Sequence, residues 1–276
     1  MTAVHPTTPP SFRRVAYNTA ATSSNKTHDD AGARELGYRA ALVPGITVYA
    51  YLTELAVAAW GDEWLAHGGA SLTLPRPVFE GEELLCTATP STERDGALEL
   101  MAAGAQDGTA RARARVWLRM PDEALPIDRV PDPAAPTGSA LPPLSAGNVP
   151  LDTPMIALLE QITPEIAARW ASDAGDMGQA TGGSPKHVHP AWAASRQAGL
   201  LRHNFAMGPS IHAASEIANL RPCPVTGAYE TRGVIRREWE RNGHHYLLMD
   251  TIVLADGEPV TAVRHTSIFQ PRASAR

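Results

Sequence analysis

The chain has 276 residues, of which 43% are hydrophobic and 19% charged, and a formal net charge of −5 at pH 7. That length suits two globular units of roughly 100 to 150 residues each, and the acidic balance excludes a general affinity for nucleic acid or an anionic membrane surface. Cys86 and Cys223 are too few and too far apart for a metal knuckle or a disulfide framework, and no signal-peptide pattern or apolar run of membrane-spanning length occurs, so a soluble, cytoplasmic protein is expected.

In chain order, the first segment rich in chemistry runs from Ser23 to Asp30 and holds Asn25 and His28. It is followed by Leu42, Val43, Pro44 and Gly45, and then by residues 46–60, which are apolar except at Thr47, Thr53 and Glu54. Such a run predicts a helix wrapped by other protein, as at the centre of a curled sheet. Gly45 ahead of it would leave unpaired backbone N–H groups at the helix start, where they can hold a carbonyl oxygen that gathers negative charge. Residues 71–78, 83–90, 97–104 and 110–120 read as strands, with Asp107-Gly108 as a tight turn. Prolines then crowd residues 121–150, predicting an extended linker between a first unit, 1–120, and a second, 151–276.

In the second unit Gly208-Pro209-Ser210-Ile211-His212 predicts the opening of a short helix reaching about residue 220. Residues 227–241, 245–255 and 259–270 read as longer strands joined at Asn242-Gly243 and Asp256-Gly257. Each unit thus reads as an irregular loop, a helix after a glycine and a run of antiparallel strands, which suggests an internal duplication.

These residues resemble the MaoC-like family of hydratases and dehydratases in its double form, over nearly the whole chain. In that family an aspartate precedes an asparagine by two residues and a histidine by five, a second aspartate follows two residues on, and a Pro-x-x-His-Gly-type segment opens the central helix. Asn25, His28 and Asp30 match this spacing, whereas Ser23 stands at the first aspartate and Pro44 at the histidine before the helix glycine. Arg76 to Glu82 is similar to the family's strand entry. In the second unit Thr163-Pro164-Glu165, Arg169-Trp170-Ala171 and Gly175-Asp176 look like the lead-in to the catalytic loop. Beyond Asp176 the spacing is broken by a stretch containing Gly178, Thr181, Gly182 and Gly183, so that His187 or His189 meets the histidine position only across a bulge. Pro209 to His212 matches the helix opening better than the first unit does.

The resemblance implies an α+β double hot-dog fold, two repeats each with an antiparallel sheet wrapped around a central helix. It further implies a hydratase or dehydratase acting on an acyl thioester carried by coenzyme A or a carrier protein, without a cofactor or a metal. On that reading His28 transfers protons, Asn25 positions water or the thioester, the Gly45 backbone holds the oxyanion, and Asp30 or Asp176 is the carboxylate. Ser23 is limited to hydrogen bonding; His187, His189 and His212 are substrate-side candidates. The serine at 23 also admits a repurposed enzyme, such as a cyclase or isomerase, or a non-catalytic acyl-thioester-binding protein.

Structural readings stand beside these. His28 could cap its loop, His187 and His189 could lie in a solvated loop, and His212 could cap a helix. Arg111, Arg113 and Arg115 share one face of a strand, where they would meet phosphates or, more commonly, solvent. A monomer and a homodimer both fit the fused pair.

Overall fold

In the computed structural model, which describes residues 6–138, 140–175 and 186–272, the strand-forming stretches build one antiparallel sheet. The first half supplies β1 (Phe12–Val15), β2 (Gly68–Thr73), β3 (Glu83–Pro90), β4 (Leu98–Gly104) and β5 (Ala110–Leu118). The second supplies β6 (Leu158–Ile162), β7 (Ile211–Asn219), β8 (Gly227–Arg241), β9 (His244–Ala255) and β10 (Glu258–Gln270). Their order is β1-β3-β4-β5-β2-β7-β10-β9-β8-β6, so β2 and β7 join the two halves, with Gly69 opposite Ala218 and Thr73 opposite Ala214.

Six α-helices accompany the sheet among the described residues: α1 (Asp30–Glu35), α2 (Gly45–Trp60), α3 (Asp62–His67), α4 (Pro164–Asp173), α5 (Pro190–Ala193) and α6 (Arg196–Asn204). The apolar run at 46–60 forms α2, which packs on β3, β4, β5 and β7 and buries Val48, Tyr49, Leu52, Leu55 and Ala56. Its three polar residues all have protein partners, Thr47 through the Thr19 hydroxyl (2.7 Å). Thr53 donates to the Ala50 carbonyl (2.8 Å) and Glu54 pairs with Arg14 of β1 (2.6 Å). The core around α2 extends across the joint to Ile217 of β7 and Val263 of β10.

Most expected strands form within two residues of their expected ends; the one expected at 71–78 lies at Gly68–Thr73. The Asn242-Gly243 and Asp256-Gly257 turns have positive φ at both residues (54° and 75°; 48° and 84°), as a two-residue hairpin turn requires. At Asp107-Gly108 only the glycine is left-handed (φ 64°), within a longer loop between β4 and β5.

The helix expected to open at Gly208 is not formed: residues 211–219 are strand β7. Ala213, Ala214, Glu216 and Ala218 favour helix by propensity, but hydrogen bonding to β2 on one side and β10 on the other decides the conformation. The central helix of this half is α6, which precedes that glycine.

The described residues of segment 119–157 form neither helix nor strand. They are tied to β8, β9 and β10 through Arg232–Asp132 (3.0 Å), Arg236–Asp152 (2.9 Å) and Arg264–Asp128 (2.8 Å), and both Arg236 and Arg264 also bind Asp250, which is fully buried on β9. Among the described residues no helix is long and apolar enough to cross a membrane.

Candidate active site

A cavity of about 620 Å³ opens between the two halves at the start of α2. Pro44, Gly45, Ile46 and Val48 form one wall, and Gln197, Ala198 and Leu201 of α6 another. Arg76, Arg241 and Asn242 are its exposed polar residues, and Tyr38 and Tyr246 are partly buried. Asn25, Thr27, Gln197, His265 and Ser267 are its buried polar ones. Among the described residues no aspartate or glutamate lines it.

Helix α2 begins without a side-chain cap. The Thr47 and Val48 N–H groups donate to the Pro44 carbonyl (2.9 and 3.3 Å), and those of Gly45 and Ile46 make no hydrogen bond among the described residues. Two orphan donors and the positive end of the helix dipole therefore meet the cavity wall, an arrangement suited to a developing oxyanion. A Cβ at position 45 would require the end of the Leu74 side chain to shift and would stand 3.3 Å from His212 Nδ1.

His28 lines the same cavity from the short 3₁₀ turn Lys26–His28. Its Nδ1 lies 2.7 Å from the Leu42 carbonyl oxygen. A carbonyl can only accept, so Nδ1 carries the hydrogen and Nε2 keeps its lone pair in the neutral ring. Burial lowers the affinity of His28 for a second proton; the Leu42 bond opposes this and the positive charge of Arg202 adds to it. The residue is thus a neutral base of fixed tautomer.

Asn25 has a different duty from the one expected. Its Nδ2 donates to the Ser210 carbonyl (2.9 Å), the Ser210 N–H donates back to Oδ1 (3.1 Å), and the Thr27 N–H also donates to Oδ1 (3.3 Å). With its amide so engaged, Asn25 clamps the residue just before β7 to the loop of His28, and hydrogen-bonding capacity for water or a thioester is largely used up.

His212 lies at the start of β7. The register of β7 against β10 shifts between Thr266 and Ser267, leaving Ala213 as an extra residue. This bulge re-aims the strand, so His212 and Ser215 meet although three apart: Nε2 lies 2.8 Å from Ser215 Oγ, which lies 3.1 Å from His265 Nδ1. The two imidazole rings are 4.4 Å apart. Burial pushes His212 down to about 4 against the opposing effect of a backbone hydrogen bond with Ala214, and it holds His265 well below the ordinary histidine range, the neighbouring His212 adding to the second effect.

Several expected residues lie elsewhere. Asp30 caps no substrate; it is exposed, accepts from the Ala41 N–H (2.9 Å) and pairs with Arg34 (2.8 Å) one helical turn on. Ser23 is exposed and outside the cavity lining. His187 bridges Pro224, and His189 is the buried N-cap of α5, accepting from the Ala191 N–H (3.2 Å) beside Trp170; neither reaches the cavity lining. Asp176 lies outside the described residues. Arg111 and Arg115 are neutralised by Glu82, Asp107, Glu93 and Glu99, which leaves Arg113 as the solvated member of that row. Sequence reasoning missed Ser215, His265 and Ser267; the only available signal was two polar residues two apart on one face of the β10 strand.

A scan against protein-family models and a search of curated proteins find no match. Solved structures do match over almost their whole length. A MaoC-like dehydratase shares 14% identity, with 99% of each chain covered and a TM-score of 0.61. A conserved hypothetical protein from Mycobacterium tuberculosis with a double hotdog fold shares 13%, with 96% of each chain covered and a TM-score of 0.63. A Lactobacillus plantarum protein assigned as an oleoyl thioesterase shares 12%, again with 96% of each covered and a TM-score of 0.53. The α2 helix held in a curved sheet, the joint at β2 and β7, and these matches together identify the chain as a double hot-dog protein with the fold of MaoC-like dehydratases.

Proposed function

We propose that the protein is an acyl-thioester enzyme of the hydratase/dehydratase type, with its site in the cavity at the start of α2. The observation that carries this reading is the pairing of a neutral histidine of fixed tautomer, His28, with the uncapped N–H groups of Gly45 and Ile46 in one cavity. In the dehydration direction His28 Nε2 takes the proton from C2 of a 3-hydroxyacyl thioester. The electron pair moves onto the thioester oxygen, which the two N–H groups stabilise. As the pair returns to form the C2–C3 double bond, the C3–O bond breaks, and the hydrogen on Nε2 passes to the departing oxygen as water. One residue takes and returns the proton, so the lack of a carboxylate in the described lining is no obstacle to the balance of the step.

Hydration of crotonyl-CoA and longer enoyl-CoA thioesters, followed for wild type and His28→Ala, tests this. Loss of general acid–base catalysis is expected to lower kcat/KM by about 100-fold or more. Equal rates, or no rate in either protein, would remove the assignment.

The absence of aspartate and glutamate from the described lining favours a second reading, an isomerase of the same thioester class. There His28 would take a proton at one carbon and return it at another, with the oxyanion held as before and no water added. Turnover of a 3-enoyl thioester to its 2-enoyl isomer without hydration would select it.

A further inference from the structure

We infer that the His212–Ser215–His265 chain is a hydroxyl-binding clamp, which presents one hydrogen-bond donor and one acceptor to the substrate beside the start of α2. The inference rests on the acyl-thioester reading and adds to it where the hydroxyl, or the water that becomes one, is held.

The geometry dictates the donor and acceptor pattern. Ser215 Oγ lies within hydrogen-bond distance of His212 Nε2 (2.8 Å) and His265 Nδ1 (3.1 Å), and the residue is buried. A serine has one hydrogen to give. If it gives it to His265, then His212 must donate from Nε2 and His265 keeps its hydrogen on Nε2, which leaves His212 Nδ1 bare. If it gives it to His212, then His265 donates from Nδ1, His212 keeps its hydrogen on Nδ1, and His265 Nε2 is bare. Wherever the serine gives its hydrogen to one of the two rings, the nitrogens that do not face it, His212 Nδ1 and His265 Nε2, are of opposite character. A hydroxyl group or a water matches both at once; a methylene matches neither and a ketone only one.

Three further observations support a ligand here. Both imidazoles belong to residues that line the cavity, and His212 Nδ1 stands beside Gly45, where the thioester oxygen would be held. No carboxylate hydrogen-bonds either ring among the described residues, so the rings remain neutral and the count of hydrogens holds. Ser267, opposite His212 in register, is 3% exposed and its hydroxyl has no hydrogen-bond partner among the described residues, a costly state for a buried polar group that a ligand or a rotation about its Cα–Cβ bond relieves.

Two measurements test the clamp. In ¹⁵N NMR of the unliganded protein at neutral pH, His212 and His265 are expected to be neutral and in the same tautomer; opposite tautomers or a charged ring would overturn the inference. In calorimetric titration, 3-hydroxybutyryl-CoA is expected to bind about tenfold more tightly than butyryl-CoA to the wild type. Ser215→Ala should erase that preference and Ser215→Thr should keep it. Equal binding of the two thioesters by wild type, or a preference untouched in Ser215→Ala, overturns the clamp while leaving the thioester reading intact. Binding of neither thioester overturns both.

Discussion

The two central helices solve the same packing problem in different ways. Helix α2 is sixteen residues long and buries a nearly continuous apolar surface. Helix α6 has nine residues, and two of its four buried positions, Gln197 and Asn204, are amides. Gln197 donates to Thr251 Oγ1 (3.0 Å); Asn204 accepts from the Ile156 N–H (2.8 Å) and donates to the Ile156 and Leu200 carbonyls (2.9 Å each). One half therefore holds its helix by apolar burial and points its start into the cavity, while the other fastens a shorter helix by side-chain amides and uses its flank as a cavity wall. The difference shows that one fold tolerates a division of labour between its halves: the uncapped helix start belongs to the first, the paired imidazoles to the second.

The sharpest way to break that contrast is to delete apolar volume from both helices. Leu52 of α2 and Leu200 of α6 are both fully buried. Leu52→Ala is expected to cost about 2–5 kcal/mol in urea unfolding, through lost transfer energy and the cavity left behind. Asn204→Ala is expected to cost about 1–3 kcal/mol, because the Ile156 backbone groups lose their buried partner. If Leu200→Ala cost much less than Asn204→Ala, α6 would be held mainly by its amides; if much more, the two helices would not differ in kind.

The same difference explains what could be read from the sequence. A run of residues with scarcely a polar side chain has few alternatives to a sheathed helix, so α2 and the glycine before it were legible. The hairpin strands followed from their Asn-Gly and Asp-Gly turns. Helix α6, with Arg196, Gln197, Arg202, His203 and Asn204, has too little apolar pattern to announce itself. The alanine-rich β7 looked helical because its conformation is set by two neighbouring strands distant in sequence. At the cavity, His28 and Gly45 were legible as loop and helix-start residues, and His212 was picked out although it begins a strand rather than the expected helix; Ser215 and His265 were not legible, since their meeting depends on a one-residue bulge at Ala213. Asn25 was found and its task misjudged: the spacing resembles a catalytic motif, whereas the amide binds backbone from the other half.

That clamp is itself testable. Asn25→Ala removes both hydrogen bonds to Ser210, leaving its N–H without a partner and its carbonyl with only the longer bond from the Thr27 hydroxyl (3.4 Å). A loss of about 1–3 kcal/mol is expected, accompanied by lower turnover because β7 carries His212. Asn25→Asp retains the acceptor for the Ser210 N–H but not the donor, and should fall between. Full stability in Asn25→Ala would show that the halves are held near the site by the β2–β7 joint alone.

Acid should weaken the second half before the first. Burial pushes His189 down to about 3 and His212 down to about 4, against an ordinary value of about 6.5 in the unfolded chain. As pH falls below about 6.5 the unfolded state binds protons that the folded state refuses, so stability is full above that pH and is lost towards the folded values. Each such histidine contributes a slope of up to about 1.4 kcal/mol per pH unit inside its window. Unfolding free energies measured between pH 7 and 5 should therefore fall with a slope of more than one proton, and His189→Gln should remove one proton's share. A slope unchanged by His189→Gln would mean that His189 titrates alike in both states.

The smallest effect is expected at Asp30, where the family spacing and the geometry part company. Its carboxyl is held below the usual range by the Ala41 N–H and by Arg34, and it faces solvent outside the cavity lining. Exposed pairs of this kind contribute little because water screens both charges. Asp30→Asn is expected to leave kcat/KM within about twofold of wild type, in contrast to the loss expected of His28→Ala two residues away. A fall comparable to that of His28→Ala would place the carboxylate back in the chemistry, and would require the loop from Asp29 to Ala41 to rearrange when substrate binds. An unchanged rate would leave His28 as the sole proton carrier contributed by the first half, with the second half supplying the groups that hold the oxygen.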